Sequence, residues 1–218
     1  MKKKLAFLHT LDANIAVFNK SVEECGYDVE VAHRVNKSVL KDTMKLGHVD
    51  ASIADRIRAE ISELRDDGAD VVVCTCSSIG AVAEEMNETE TIEVQRIDRA
   101  MADRAVGIGD RIVLAASLSS TLGPTRELLE SSAQRLGKSV SIKEVVISSA
   151  WDRYVAGDIT GYIEEVAKAM TAQFNEGDVI VLAQASMADA ALLVSDSPIP
   201  ILSSPKLGVE RAVEAVTC

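Results

Sequence analysis

The feature that most constrains the fold is an internal repeat. Three segments of the first half recur in the same order in the second half. The clearest pair is GADVVVCTCSSIGAVAEEM, residues 68–86, and EGDVIVLAQASMADAALLV, residues 176–194. In both, a run of branched apolar residues leads into small polar residues and then into a helical pattern. We therefore expect an α/β protein of two pseudo-symmetric domains, each a small parallel sheet of about four strands flanked by helices.

Short apolar runs alternate with amphipathic segments along the whole chain, which is typical of parallel sheets with crossover helices. The C-terminal segment KLGVERAVEAVTC is predicted to be a helix that returns to the first half. We predict a first half of residues 1–98 plus 207–218, a second half of residues 99–206, and a ligand cleft between them. The predicted strands are Leu5–Leu8, Val29–Ala32, Val71–Cys74, Ile92–Gln95, Ile112–Ala115, Val140–Val146, Val179–Leu182 and Pro200–Leu202.

The repeat also aligns residues that carry chemistry. Aligning Lys4 with Arg111 places Thr10 on Ser117, and aligning Asp70 with Asp178 places Cys76 on Gln184. Ligands of parallel α/β sheets bind outside the carboxyl ends of the strands. If the two halves face each other, these residues line one shared cleft.

Charge and composition limit the classes of partner. The net charge of −11 argues against a nucleic-acid surface, which needs clustered Lys and Arg. No apolar run is long enough to cross a bilayer, and MKKKLAFLHT reads as a buried first strand rather than a signal peptide. The four cysteines form no C-x-x-C motif and the three histidines have no metal-ligand spacing, so we expect a reduced cytoplasmic protein without a metal site.

The stretch DVVVCTCSSIG, residues 70–80, holds the strongest candidate for chemistry. Cys74 and Cys76 point to opposite faces of a strand, and we expect Cys74 to pack in the core. Cys76 precedes a turn and a helix start, where exposed amides favour a thiolate. The alternative is that Cys76 is a small buried thiol without a function.

These motifs resemble the Asp/Glu/hydantoin racemase superfamily over essentially the whole chain. The resemblance rests on the paired halves and on the segments VVVCTCSSIG, VIVLAQASMAD, IEVQRIDRAMA and AASLSSTLGPT. It implies a cofactor-independent enzyme that acts on a small carboxylate, with one cysteine from each half moving a proton at the carbon next to the carboxylate. A homo-oligomer is common in that family.

The chain departs from the family at the second cysteine. Where the family has Leu-Gly-Cys, this chain has Leu182, Ala183 and Gln184. An amide neither gives nor takes a proton near neutral pH, although Gln184 could hydrogen-bond a substrate oxygen or position water. Racemisation then needs a second proton source such as His9 or water. Decarboxylation with one thiol, geometric isomerisation through a covalent cysteine adduct, and anion binding without turnover stay open.

We assign the candidate roles as follows. Cys76 is the proposed acid–base residue, and short polar residues near the strand ends are proposed to bind the carboxylate. The simpler alternatives are helix capping for Ser77, Ser78 and Ser186, and a satisfied core position for His9. Arg96 and Asp98 lie on one face of a strand and could form a structural ion pair, and no role in the site is assigned to them. The proposed substrate-binding residues are His9, Thr10, Ser77, Ser78, Ser117, Ser120, Gln184 and Ser186.

Overall fold

All eight predicted strands are present in the computed structural model, which describes residues 2–217. Most ends lie within one residue of the prediction, but β2 continues to Val35, where the sequence predicted an end at Ala32. The strands are β1 (Lys4–His9), β2 (Glu30–Val35), β3 (Val71–Cys74), β4 (Glu93–Arg96), β5 (Arg111–Ala116), β6 (Ser141–Val146), β7 (Val179–Leu182) and β8 (Ile201–Ser203).

The helices fill the connections between the strands. Three 3₁₀ segments, Ser77–Ile79, Ser119–Thr121 and Ala185–Val194, follow β3, β5 and β7. Within residues 2–217, no helix combines the length and apolar character needed to span a membrane. The helices are α1 (Ala13–Cys25), α2 (Lys37–Leu46), α3 (Ala51–Asp66), α4 (Gly80–Asn87), α5 (Arg99–Ile108), α6 (Leu122–Arg135), α7 (Ser148–Val155), α8 (Ile159–Thr171) and α9 (Ser204–Thr217).

The chain divides into two compact units with the same internal arrangement. The first contains residues 2–98 and 205–217, and the second contains residues 99–204. The first sheet has the order β2-β1-β3-β4 and the second β6-β5-β7-β8, with every neighbouring pair parallel. The predicted fold class is therefore confirmed. The contribution of both halves to one ligand site stays a prediction.

Central strands and helix faces form the core of each unit. Every residue of β3 and of β7 is buried, which explains why both sequences are uninterrupted apolar runs rather than alternating ones. Helix α9 lies against the first unit, where a Cβ on Gly208 would come within 2.2 Å of the Ile97 carbonyl oxygen. Glycine at that position therefore permits the close approach of α9 to the end of the first sheet.

One polar contact occurs in both units and supports the internal repeat. In the first, the Lys4 N–H donates to the Asp70 carboxylate over 2.8 Å. In the second, the Arg111 N–H donates to the Asp178 carboxylate over 2.9 Å. The Lys3 ammonium group also binds the Asp70 carboxylate, and the Arg111 guanidinium also binds the Asp178 carboxylate. The carboxylate that precedes the central strand thus fixes the start of the neighbouring strand in both halves.

Candidate active site

In the first unit, the ends of β1 and β3 bring Thr10 and Cys76 to neighbouring positions. The two strands are paired in register, with Leu8 opposite Cys74, and the Thr75 N–H donates to the Leu8 carbonyl over 3.0 Å. Thr10 and Cys76 follow Leu8 and Cys74 by two residues, so both lie just beyond the strand ends. The carboxyl ends of parallel strands are where α/β proteins bind ligands, so this edge is the candidate site of the first unit.

Cys74, the last residue of β3, and Cys76, two residues beyond it, have different surroundings. Cys74 is completely buried, as predicted, and burial raises the pKa of its thiol to about 12. Cys76 is half-buried in an extended conformation and packs against the edge of the apolar core. Its carbonyl accepts a hydrogen bond from the Ile79 N–H, which begins the 3₁₀ turn. Of these two thiols, only that of Cys76 is accessible to a ligand.

A buried ion pair supports the loop that carries Cys76. The Arg96 guanidinium donates to both carboxylate oxygens of Asp98, with Nε–Oδ1 at 2.7 Å, and the two side chains are 5% and 1% exposed. The predicted Arg96–Asp98 pair is thus present. Asp98 also accepts the hydroxyl of Ser77, while Glu84 binds the outer side of Arg96. The hydroxyl of Ser77 therefore positions the loop.

Glycine at the start of α4 makes room for this pair. A Cβ on Gly80 would lie 2.6 Å from the Arg96 guanidinium carbon, so the guanidinium crosses the helix start where no side chain is present. Burial alone raises the pKa of the Asp98 carboxyl, but the Arg96 charge and the hydrogen bonds from Arg96 and Ser77 bring that pKa below its ordinary value. Asp98 is therefore a carboxylate at neutral pH.

The expectation that His9 faces a ligand is not supported, because its ring is buried and fully used inside the first unit. Its Nδ1 lies 2.8 Å from Thr75 Oγ1 and its Nε2 lies 2.9 Å from His33 Nδ1. The ring also stacks with Phe7 and lies against Phe18. Burial, and then the neighbouring His33, lower the pKa of His9 to about 3. These contacts agree with the simplest of the three alternatives, a satisfied core histidine.

We expect this histidine pair to make the fold sensitive to mild acid. Because the folded pKa of His9 is below the ordinary 6.5, the unfolded chain takes up the proton first as the pH falls. The stabilisation is complete above pH 6.5 and is lost progressively between pH 6.5 and about 3. Burial also lowers the pKa of His33, which adds to the effect.

Urea unfolding between pH 6.5 and 5, a range above the ordinary pKa of carboxyl groups, measures this prediction. The free energy of unfolding should fall by up to about 1.4 kcal/mol per pH unit for each such histidine. His9→Gln should flatten the slope, and His48→Gln, at an exposed loop position, should leave it unchanged. An unchanged slope in His9→Gln would contradict the assigned pKa.

In the second unit, Gln184 fills the position that matches Cys76. Its Oε1 accepts the Ser117 N–H at 2.7 Å, the Leu118 N–H at 3.0 Å and the Ser117 hydroxyl at 2.9 Å. The register of β5 and β7 places these residues together, because Ala115 lies opposite Leu182. The structure therefore brings the predicted residues Ser117 and Gln184 into direct contact.

Tyr162 of α8 completes this polar network and was missed in the sequence. Its hydroxyl lies 2.8 Å from the Ser186 hydroxyl and 3.3 Å from the Ser117 hydroxyl, and burial raises its pKa. Ser186 is thus a partner of Tyr162 and not a helix cap. A tyrosine on the apolar stripe of an amphipathic helix was the available signal, since a buried phenol needs a polar partner.

The remaining predicted residues lie in simpler surroundings. Ser78 is half-buried and Ser120 is exposed, and neither side chain hydrogen-bonds to any residue in the range 2–217. Thr10 is buried. Unlike the N–H groups of Ser117 and Leu118, those of Thr10 and Leu11 meet no side-chain acceptor within the described part of the chain.

Comparison with known proteins identifies the family. The sequence model of the Asp/Glu/hydantoin racemase family matches residues 51–212, well over half of the chain. The protein belongs to this family. The resemblance drawn from its motifs is therefore confirmed, and so is its assignment as a racemase-type enzyme. No curated protein sequence matched.

Solved structures agree with this racemase-family fold. An allantoin racemase from Klebsiella pneumoniae superposes with a TM-score of 0.71 at 16% identity, covering 99% of this chain and 88% of the other. An aspartate racemase from Picrophilus torridus gives 0.70 at 13% identity, with coverage of 99% and 94%. An arylmalonate decarboxylase gives 0.64 at 16% identity, with coverage of 98% and 92%. At such identities these likenesses show the fold alone.

Proposed function

We propose that this racemase-family protein is a cofactor-independent isomerase that moves a proton at the carbon next to a carboxylate, with Cys76 as the acid–base residue. The proposed substrate is a small carboxylic acid such as an amino acid, a hydantoin or a dicarboxylate-like compound. The observation that carries the proposal is the half-buried Cys76 thiol just beyond the end of β3. The strand register that ends at Leu8 and Cys74 leads Thr10 and Cys76 out of the same edge of the sheet.

Removal of this proton is difficult because a carbon next to a carboxylate is very weakly acidic. The enzyme must stabilise the negative charge that develops on the carboxylate oxygens as an enediolate forms. In the first unit, the N–H groups of Thr10 and Leu11, the hydroxyl of Thr10 and the side chain of Ser78 are available for this role. Oxyanion donors of this kind are each worth about 3–4 kcal/mol when removed by mutation.

The proton path follows from the single thiol. The Cys76 thiolate takes the proton, leaving an enediolate, and the thiol returns a proton to the same carbon. Gln184 cannot supply a proton from the second half, and His9 is enclosed in the core. Water is therefore the proposed source of a proton on the opposite face, so that isotope exchange at the carbon should be faster than inversion.

A decarboxylase is the second candidate, and one specific observation favours it. The second-half motif position holds an amide whose oxygen already accepts three hydrogen bonds, so it offers no acid. Loss of carbon dioxide leaves the same enediolate and then needs only one proton donor, Cys76. The thiolate that results regains its proton from water.

Incubation in deuterated water with a panel of small carboxylic acids, followed by NMR and chiral analysis, tests both candidates. The panel should include aspartate, glutamate, hydantoins and substituted malonates. Deuterium next to the carboxylate, appearing faster than the opposite enantiomer, supports the isomerase with one thiol. Release of carbon dioxide supports the decarboxylase. Absence of both reactions with every compound, together with retained binding of carboxylates, would show an anion-binding protein without turnover.

A further inference from the structure

The amide oxygen of Gln184 occupies a site that has the properties of an oxyanion site. One oxygen receives two consecutive backbone N–H groups and a hydroxyl, all within 2.7–3.0 Å. A neutral amide oxygen has two lone pairs, whereas a carboxylate commonly accepts two or three backbone N–H donors and is strongly stabilised by them. The donors of Ser117 and Leu118 are therefore more than an amide oxygen requires.

The surrounding hydroxyls form a chain of hydrogen bonds that ends on the same oxygen. Ser117 uses its single hydroxyl hydrogen on Gln184, so Tyr162 donates to Ser117 and in turn accepts from Ser186. Ser117 and Tyr162 are buried, so the donors are held in place without competition from solvent. Such a preorganised chain of donors favours negative charge at its end.

The matching position in the first unit has no such internal acceptor. Cys76 occupies the place of Gln184 there, and no side chain of the residues described accepts from the N–H groups of Thr10 or Leu11. Among the described residues, a side chain of the protein therefore accepts from these backbone N–H groups in the second unit but not in the first. The difference lies in one residue of the repeat.

We propose that Gln184 acts as an internal ligand that occupies an oxyanion site of the second unit and excludes free small carboxylates from it. Its Nε2 group donates to none of the side chains or carbonyls in residues 2–217. The same amide therefore presents two N–H donors away from the Ser117 nest, which consists of the backbone N–H groups of Ser117 and Leu118 with the Ser117 hydroxyl. Gln184 thereby closes a site for anions, and its Nε2 group instead offers hydrogen-bond donors to neutral or partly charged oxygens. The proposal concerns binding in the second unit and does not depend on catalysis by Cys76.

Truncation of Gln184 should open the site to acetate. Gln184→Ala removes a CH₂–CONH₂ group, which has nearly the size and shape of acetate. On titration with sodium acetate at constant ionic strength, the amide NMR signals of Ser117 and Leu118 should shift saturably in Gln184→Ala. They should not shift in the unaltered protein, nor in the control Gln134→Ala, which truncates an exposed glutamine on α6. Absence of saturable shifts in a folded Gln184→Ala variant would overturn the proposal, as would equal binding by the unaltered protein.

A second variant tests the site without creating a space. Gln184→Glu retains an oxygen at the same distance from the backbone and adds a charge. If the nest is an oxyanion site, the pKa of the introduced carboxyl should lie at least about one unit below the ordinary 4.3, as followed by ¹³C NMR. A pKa at or above the ordinary value would show that the nest does not favour an anion and would contradict the proposal, whether or not Gln184→Ala folds.

Discussion

Replacing Cys76 with alanine is expected to lower the rate of hydrogen exchange next to the substrate carboxylate by about 10³-fold or more. Cys76 is the accessible thiol of the candidate site, whereas the thiol of Cys74 is enclosed in the core with a pKa raised to about 12. His9 does not replace it at the end of β3, because its ring is buried and its pKa is lowered to about 3. The measurement is deuterium incorporation with the best substrate of the panel.

A matched control separates catalysis from general damage to the fold. Cys25→Ser alters another half-buried cysteine, on α1, and should retain full exchange activity. Iodoacetamide should label Cys76 in the unaltered protein, and a bound dicarboxylate should slow that labelling. Full activity of a folded Cys76→Ala variant would refute the assigned role, and labelling that a bound dicarboxylate leaves unchanged would argue that the ligand lies elsewhere.

Removal of Asp98 is expected to produce the largest loss of stability, about 3–5 kcal/mol. Asp98→Ala leaves the Arg96 guanidinium buried without its main partner, and Glu84 binds it only from the outer side. Because the pKa of Asp98 in the folded protein lies below the ordinary 3.8, the contribution of the pair is present at neutral pH and is lost only as the pH falls below that value. Urea unfolding at pH 7 measures the change in the free energy of unfolding.

Two further variants test whether the unpaired charge is the cause. The double variant Arg96→Met with Asp98→Ala should recover most of the loss, because it removes both buried charges. Glu176→Ala removes one partner of the exposed Lys143–Glu176 pair, whose side chains are 46% and 49% exposed, and should cost less than about 1 kcal/mol. A double variant as unstable as Asp98→Ala would show that the loss comes from packing and not from charge.

The fold was predictable because it depends on patterns that local sequence carries. The apolar run of β3 needs burial on both faces, and the repeat of that run in β7 predicted a second sheet of the same kind. The end of β2 was placed too early because His33, Arg34 and Val35 do not look like a continuous apolar strand. They pair with β1 nevertheless, since a partner strand satisfies their backbone groups.

The sequence could predict which residues lie near the strand ends, but not which side chains they contact there. The repeat alignment placed Gln184 on Cys76 and Ser117 on Thr10. The strand registers bring Thr10 near Cys76 within the first unit and Ser117 next to Gln184 within the second. The roles of His9, Ser77 and Ser186 depended on neighbours far away in sequence. Their partners His33, Asp98 and Tyr162 belong to other parts of the chain, and no local sequence pattern predicts these hydrogen bonds.

The sequence by itself determined two α/β halves and the family motifs, because these follow from residue type and spacing. Only the tertiary structure decided which polar groups are already satisfied. It pairs His9 with His33, Ser77 with Asp98, and Gln184 with the Ser117 nest. Hydrogen bonds are saturable and directional. Which groups remain available to a ligand therefore depends on which residues the tertiary structure places next to them.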